Sequence, residues 1–175
     1  GSYEPALYAL NQTTGAELWK YTTVDTISGS TFEFANGNIY FTDYGYSGVT
    51  RLYAVDLTTH LLVWEYQIPF TTYASANVDD DNDIVYLNFF DQIVAFDADT
   101  GAELWSNDLE QGYITQQPTF YGDLLLIGSD RAFSAVNRFT GDLVWQHIIG
   151  TAPEIGVGAS ATVKDGIVYY PTKGD

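Results

Sequence analysis

Ala95-Phe96-Asp97-Ala98-Asp99-Thr100-Gly101-Ala102-Glu103-Leu104-Trp105 is the stretch that decides how this chain folds, because it occurs four times. It returns as Ala9-Leu10-Asn11-Gln12-Thr13-Thr14-Gly15-Ala16-Glu17-Leu18-Trp19 and as Ala54-Val55-Asp56-Leu57-Thr58-Thr59-His60-Leu61-Leu62-Val63-Trp64. The fourth copy is Ala135-Val136-Asn137-Arg138-Phe139-Thr140-Gly141-Asp142-Leu143-Val144-Trp145. All four tryptophans hold the last position, at steps of 45, 41 and 40 residues. Self-similarity at a fixed period of this length marks a repeat architecture. Within the phrase, an Asp or Asn followed by Thr and Gly reads as a tight turn, with Gly free to take a positive φ.

Outward from the phrase, each repeat reads as strands and turns. In the third unit the polar run Asp79 to Asp83 is a turn, and Ile84-Val85-Tyr86-Leu87 is a short buried strand. Ile93 to Phe96 is a second strand, and Ala102 to Trp105 opens a third. The stretch from Tyr113 to Thr119 supplies a further one. Turns at Asn36-Gly37-Asn38, Tyr121-Gly122-Asp123 and Lys164-Asp165-Gly166 precede the apolar runs Ile39 to Thr42, Leu124 to Ile127 and Ile167 to Tyr170. No window carries an apolar period of about 3.6, so essentially no helix is expected. About four strands per repeat of roughly 40 residues is the pattern of a propeller blade. The expected fold class is therefore all-β: a β-propeller of four-stranded antiparallel blades, four blades' worth per chain.

The phrase Ala-x-Asp/Asn-x-x-Thr-Gly-x-x-x-Trp, preceded by Leu7-Tyr8 and Leu52-Tyr53, resembles the PQQ-like β-propeller repeat. This is the tryptophan-docking repeat of quinoprotein alcohol dehydrogenases and of the outer-membrane assembly lipoprotein. The resemblance covers nearly the whole chain in four copies. It implies that Trp19, Trp64, Trp105 and Trp145 wedge between neighbouring blades, and that related rings hold roughly seven or eight blades. It does not carry quinoprotein catalysis here. Those enzymes use a vicinal Cys pair over the cofactor, and this chain has no Cys, so bound PQQ is not expected.

Gly1-Ser2 reads as a cloning scar, and the lack of any Met points to a processed or excised piece. Residues 3–175 are expected to form a single propeller unit. Residues 3–24 give the second half of blade 1, 25–69 blade 2, 70–109 blade 3 and 110–150 blade 4. Residues 151–175 give the first half of blade 1. Ile39 and Leu52 are 13 residues apart, and Ile167 and Leu7 have the same spacing if Asp175 is joined to Tyr3. Such halves join within one chain as a four-bladed ring, or between two chains as an eight-bladed homodimer; an excised half of a longer propeller is the third option.

The formal net charge is −17, from 23 acidic and 6 basic residues. Phosphate recognition needs Lys/Arg clusters that are lacking, so nucleic acid is not an expected partner. No run of roughly 18 apolar residues offers a membrane span. The expected partner is a protein or a second copy, and the expected setting is extracytoplasmic. In Asn77-Val78-Asp79-Asp80-Asp81-Asn82-Asp83, alternate oxygen donors make Asp79, Asp81 and Asp83 a candidate Ca²⁺ site, although the loop has no Gly and Val85 stands at its ninth position. No other cofactor is expected. His60 stands where three repeats have Gly and reads as a strained turn residue; His147 reads as an ordinary strand residue. Neither lies in a pattern that suggests a Ser-His-Asp triad, and no carboxylate pair stands out for glycoside hydrolysis.

The loop Asp43-Tyr44-Gly45-Tyr46-Ser47-Gly48-Val49-Thr50 exceeds its counterparts in the next two units, making Tyr44 and Tyr46 candidate partner contacts. Phe89 and Phe90 are contacts or inter-blade wedges. No catalytic residue is singled out. The expected function is a non-catalytic scaffold or protein-interaction module. The alternatives are a small-molecule-binding or sensor domain, or a fragment of a quinoprotein-like enzyme with a ligand in the central channel.

Overall fold

The structure is a computed structural model that describes residues 4–27, 31–110, 112–114, 116–150 and 159–172. Gly1-Ser2 and residues 151–158, part of the segment assigned to blade 1, lie outside the described residues. The described residues form β-strands and turns with no helix, so none of them builds a helix long and apolar enough to cross a membrane. β1 (Ala6–Leu10) and β2 (Glu17–Thr22) make a two-stranded antiparallel sheet. β3 (Glu33–Ala35), β4 (Asn38–Thr42), β5 (Thr50–Asp56) and β6 (Leu62–Ile68) make a four-stranded antiparallel sheet in chain order. β7 (Ala74–Asp79), β8 (Ile84–Phe89), β9 (Gln92–Asp97) and β10 (Glu103–Asp108) follow the same order, as do β11 (Thr119–Tyr121), β12 (Leu124–Gly128), β13 (Ala132–Asn137) and β14 (Leu143–Ile148). β15 (Thr162–Lys164) and β16 (Ile167–Tyr169) form a second two-stranded sheet.

One stretch departs from the sequence reading. Between Tyr113 and Thr119 the described residues show an isolated bridge from Ile114 to Ser129, and β11 begins only at Thr119. Pro118 precedes it and has no N–H to give to a ladder, which keeps the strand from starting earlier.

The repeated phrase builds one local structure each time. Asp97 Oδ1 accepts from the Thr100 N–H at 2.8 Å and from its hydroxyl at 2.6 Å, while the Gly101 N–H closes back on the Asp97 carbonyl at 2.9 Å. Asn11, Asp56 and Asn137 likewise accept the backbone N–H three residues on, Asp56 also taking the Thr59 hydroxyl, with the turn closed by Gly15, His60 and Gly141. These hydrogen bonds hold the Asp56 and Asp97 carboxyls below their ordinary value; the backbone N–H of Thr59 is the main cause at Asp56 and the Thr100 hydroxyl at Asp97. The closing residue is left-handed in each repeat: φ is 69° at Gly15, 61° at His60, 71° at Gly101 and 76° at Gly141. Just beyond, the ladder shifts register at Ala9/Leu10, Ala54/Val55 and Ala135/Val136, a bulge that turns the following Trp strand.

Contacts divide the chain into two compact units, Gly1–Val85 with Asp97–Ala102, and Tyr86–Phe96 with Glu103–Asp175. In the first, the core gathers Ile39, Phe41, Tyr53 and Val55, with Leu7, Tyr21, Ile27 and Leu57 against it. In the second, Leu126, Phe133 and Ala135 are packed by Val163, Val168 and Tyr170 among others. Central strands are covered on both faces, so β4 and β8 are buried at every position and read as continuous apolar runs. The Trp strand has one open face and alternates, as β6 and β10 show.

Candidate functional site

The tryptophans come first, because their geometry decides which surfaces are structural. Trp64 is buried and its Nε1 donates to the Ala98 carbonyl at 2.8 Å. Its ring lies against Gly101, where an added Cβ would stand 2.6 Å from Trp64 Cδ2. The Tyr40 hydroxyl donates to the same carbonyl at 3.0 Å, with its ring 5.8 Å from that of Trp64. The next repeat copies this junction: Trp105 Nε1 and the Tyr86 hydroxyl both donate to the Arg138 carbonyl at 3.0 Å, and a Cβ on Gly141 would meet Trp105 at 2.5 Å. The motif Gly thus answers two demands, a positive φ and a flat seat for the preceding Trp. His60 breaks the rule by stacking: its ring lies 4.7 Å from that of Trp19 at 19°. Trp145 is 38% exposed, against 8% for Trp64 and 9% for Trp105.

The loop of residues 43–50 carries the strongest exposed feature. Tyr44 stands edge-on to Tyr46 at 4.8 Å and tilted against Tyr73 at 4.5 Å. Tyr46 is 70% and Tyr73 67% exposed, so three aromatic rings meet at the surface. Hydrogen bonding with Tyr73 raises the Tyr44 phenol above its ordinary value. Beneath it lies a buried polar network. Asp43 Oδ1 accepts the Arg51 N–H at 2.7 Å and Asp43 Oδ2 the Tyr53 hydroxyl at 2.8 Å. Asp25 Oδ2 accepts the Ser47 N–H at 3.0 Å and its hydroxyl at 2.5 Å. The Arg51 guanidinium stands 3.7 Å from Asp43 and 3.9 Å from Asp25. Burial pushes the Asp43 carboxyl up from its ordinary value, against the pull of Tyr53 and Arg51; burial, then Asp43, raises Tyr53. The Thr71 hydroxyl donates to the Gly45 carbonyl at 2.5 Å, and the Tyr44 N–H to the Thr26 carbonyl at 2.9 Å. The loop is therefore pinned from four directions, and a pinned aromatic cluster loses little entropy on docking.

Sequence reasoning singled out the loop with Tyr44 and Tyr46 but not Tyr73 or Asp25, which meet it from outside. A signal existed in Asp43 and Arg51, opposite charges flanking a Gly-rich loop. Asp79 is buried and both its carboxylate oxygens accept from Asn82 Nδ2, at 3.0 and 3.1 Å. Asp83 has a φ of 56° and accepts from Asn36 Nδ2 at 2.7 Å. Asp81 joins neither contact. Among the described residues no group of three or more His, Cys, Asp or Glu converges as metal ligands. Phe89 is buried; Phe90, with φ 50°, packs against Tyr113 at 5.0 Å.

Comparison with known proteins follows from this geometry. The pattern of the family described as outer membrane protein assembly factor BamB matches residues 1–89 and 73–175. Tetrathionate hydrolase of Acidithiobacillus ferrooxidans is 26% identical over 188 residues, covering 94% of this chain and 37% of that protein. Among solved structures, BamB from Moraxella catarrhalis superposes with a TM-score of 0.72 at 20% identity, over 90% of this chain and 50% of that one. The computationally designed Ika8 protein gives 0.69 at 22% identity, over 91% and 47%. The chain spans half or less of the length of each.

Proposed function

Because this chain belongs to the family of PQQ-like repeats described as outer membrane protein assembly factor BamB, we propose that it is a non-catalytic propeller scaffold for protein interaction. In this reading the five sheets are blades or half-blades, and Trp64 and Trp105 are their wedges. The observation that carries it is the surface cluster of Tyr44, Tyr46 and Tyr73 on its pinned loop. Rigid, amphipathic tyrosines are favoured anchors at interfaces. A net charge of −17 favours a basic partner protein by attraction at long range, whereas a second copy must associate against that charge. The chain works outside the cytoplasm, as the family's description suggests for its relatives, and its partner is another protein or a second copy. The test is a displayed library of basic, aromatic-containing peptides. The expected result is enrichment on the native chain that is lost with Tyr46→Ser and Tyr73→Ser, without loss of fold. Enrichment that ignores both changes would refute the assignment.

The resemblance to a tetrathionate hydrolase favours a second reading, a small-molecule domain. Electrostatics oppose it for an anion of that kind. Arg51, one of 6 basic residues, is already committed to Asp25 and Asp43. A melting temperature raised by tetrathionate would support this second reading over the first.

A further inference from the structure

Two of the junctions described above are complete, and each uses the same four parts. The third residue of the second strand is Tyr (Tyr40, Tyr86); it packs on the Trp of its own sheet and donates to a carbonyl of the next repeat. That Trp sits on the next repeat's motif Gly and donates to the same carbonyl. The two-stranded sheets hold the same parts unassembled. Tyr169 is the third residue of β16 and therefore the counterpart of Tyr40 and Tyr86, yet it is 52% exposed where they are fully buried. In the other two-stranded sheet, Trp19 borders an apolar cavity of about 430 Å³ with Ala9, Phe32, Phe34 and Leu57. Leu57 is the counterpart of Ala98 and Arg138, whose carbonyls receive the Tyr and Trp donors. Phe34 is the counterpart of Phe120, which packs 5.6 Å from Tyr86. The cavity is a socket with the lining a tyrosine from β16 requires. Gly15 has nothing within 4 Å of an added Cβ, whereas Gly101 and Gly141 are each covered by a Trp; Trp145 is correspondingly exposed.

We propose that β16 of one copy pairs with β1 of a second copy, seating Tyr169 in the Trp19–Leu57 socket and Trp145 on Gly15. The register follows from the intact sheets. In both, the first residue of the second strand faces the motif Asp or Asn: Asn38 opposite Asp56, and Leu124 opposite Asn137. Applied to β16 and β1, this sets Ile167 opposite Asn11, Val168 opposite Leu10 and Tyr169 opposite Ala9. The joined sheet then has the order β15-β16-β1-β2, the same as the three complete ones. A second copy is the occupant to which the chain points, since every copy carries both complementary halves: the exposed Tyr169 and Trp145, and the apolar socket and uncovered Gly15 that receive them. A two-fold pair makes two identical junctions, so each supplies only about half of the roughly 1,600 Å² of a standard interface. This inference rests on the reading of the chain as an interaction scaffold and names one partner for it.

The test uses the full chain, which has no cysteine of its own, in moderate salt that screens its charge. Light scattering should return twice 19.4 kDa. Directly opposed residues of an antiparallel pair have Cβ atoms within about 5.5 Å, so oxidised Leu10→Cys/Val168→Cys should give a covalent dimer on a non-reducing gel. Each single variant should give none. A 19.4 kDa species with no free thiol would show the strands meeting within one chain and would overturn the second copy. Failure to cross-link in a folded double variant would overturn the register. Gly15→Asn tolerates the left-handed backbone and meets nothing in the single chain, but occupies the seat of the incoming Trp145. It should fold and remain at 19.4 kDa; a dimer that survives it would overturn the seating. Tyr46→Ser should leave the dimer intact, so failure of the peptide-binding reading and failure of this one are separable.

Discussion

Replacing Gly101 with Ala tests the reading that the motif glycine is a seat for tryptophan and not only a turn residue. The comparison is Gly37→Ala. Gly37 also lies at positive φ, 76° against 71°, but a Cβ there meets nothing within 4 Å. Both substitutions carry the backbone penalty of a left-handed L-residue, about 1–2 kcal/mol. Only at Gly101 does the new methyl also meet Trp64, at 2.6, 2.7 and 3.0 Å from Cδ2, Cγ and Cε3. The nearer contacts are inside any real carbon separation, so the indole must move. Overpacking of this kind costs about 1–3 kcal/mol more. Moving the ring also strains the 2.8 Å bond from Trp64 Nε1 to the buried Ala98. The expected losses are about 2–5 kcal/mol for Gly101→Ala and about 1–2 kcal/mol for Gly37→Ala. Urea unfolding followed by far-ultraviolet circular dichroism measures both without using the perturbed tryptophan as reporter. In a Trp64→Ala background the excess at Gly101 should vanish, a coupling of about 1–3 kcal/mol. Equal losses at Gly101 and Gly37 in the native background would refute the seat.

Trp105→Ala removes an indole that buries roughly 200 Å² and donates to the Arg138 carbonyl; it should cost about 3–5 kcal/mol, and a loss below about 1 kcal/mol in urea unfolding contradicts a wedging role. His60→Gly exchanges the relief of a left-handed non-glycine, about 1–2 kcal/mol, for the lost stack on Trp19, about 0.5–1.5 kcal/mol; the net change in unfolding free energy should stay within about 1 kcal/mol. The Asp43 carboxyl is raised in the folded state, so the native chain binds its proton more readily than the unfolded chain does. Its contribution therefore favours folding below the folded-state pKa and declines as pH rises through it from the ordinary value of 3.8. Unfolding midpoints of the native chain and Asp43→Asn, measured across acid pH, should show the native chain's relative advantage shrinking as pH rises; an advantage that grows contradicts the buried placement.

The fold was legible because the Asp/Asn-to-Trp phrase encodes its own local structure. The Asp97 and Asn137 side chains cap N–H groups two or three residues on, so sequence neighbours suffice to read the turn. The period then supplies the strand count without knowledge of packing. Three things escaped. The Tyr113–Thr119 stretch looked like a strand by composition, and the constraint of Pro118 outweighed that propensity. His60 looked merely strained because its compensation, Trp19, sits 41 residues away and meets it only once two sheets are packed. The Asp25–Arg51–Asp43 network draws on residues up to 26 positions apart, and nothing in their spacing reports that a guanidinium lies between the two carboxylates. Loop length alone singled out Tyr44 and Tyr46; Tyr73, just ahead of β7, meets Tyr44 from outside that loop.

At both complete junctions the acceptor of the Tyr and Trp donors is a main-chain oxygen, at Ala98 in one and Arg138 in the other. The side chain at that position does not enter the contact, which is why a methyl group and a guanidinium serve equally well. Neighbouring repeats therefore recognise what every repeat has, not what distinguishes it. A copied or transplanted repeat would meet a compatible neighbour on arrival, with no matched pair of substitutions needed across the boundary. Such an arrangement lets a gene lengthen, shorten or divide its array in whole repeats while the surface loops, Asp43–Thr50 among them, diverge independently.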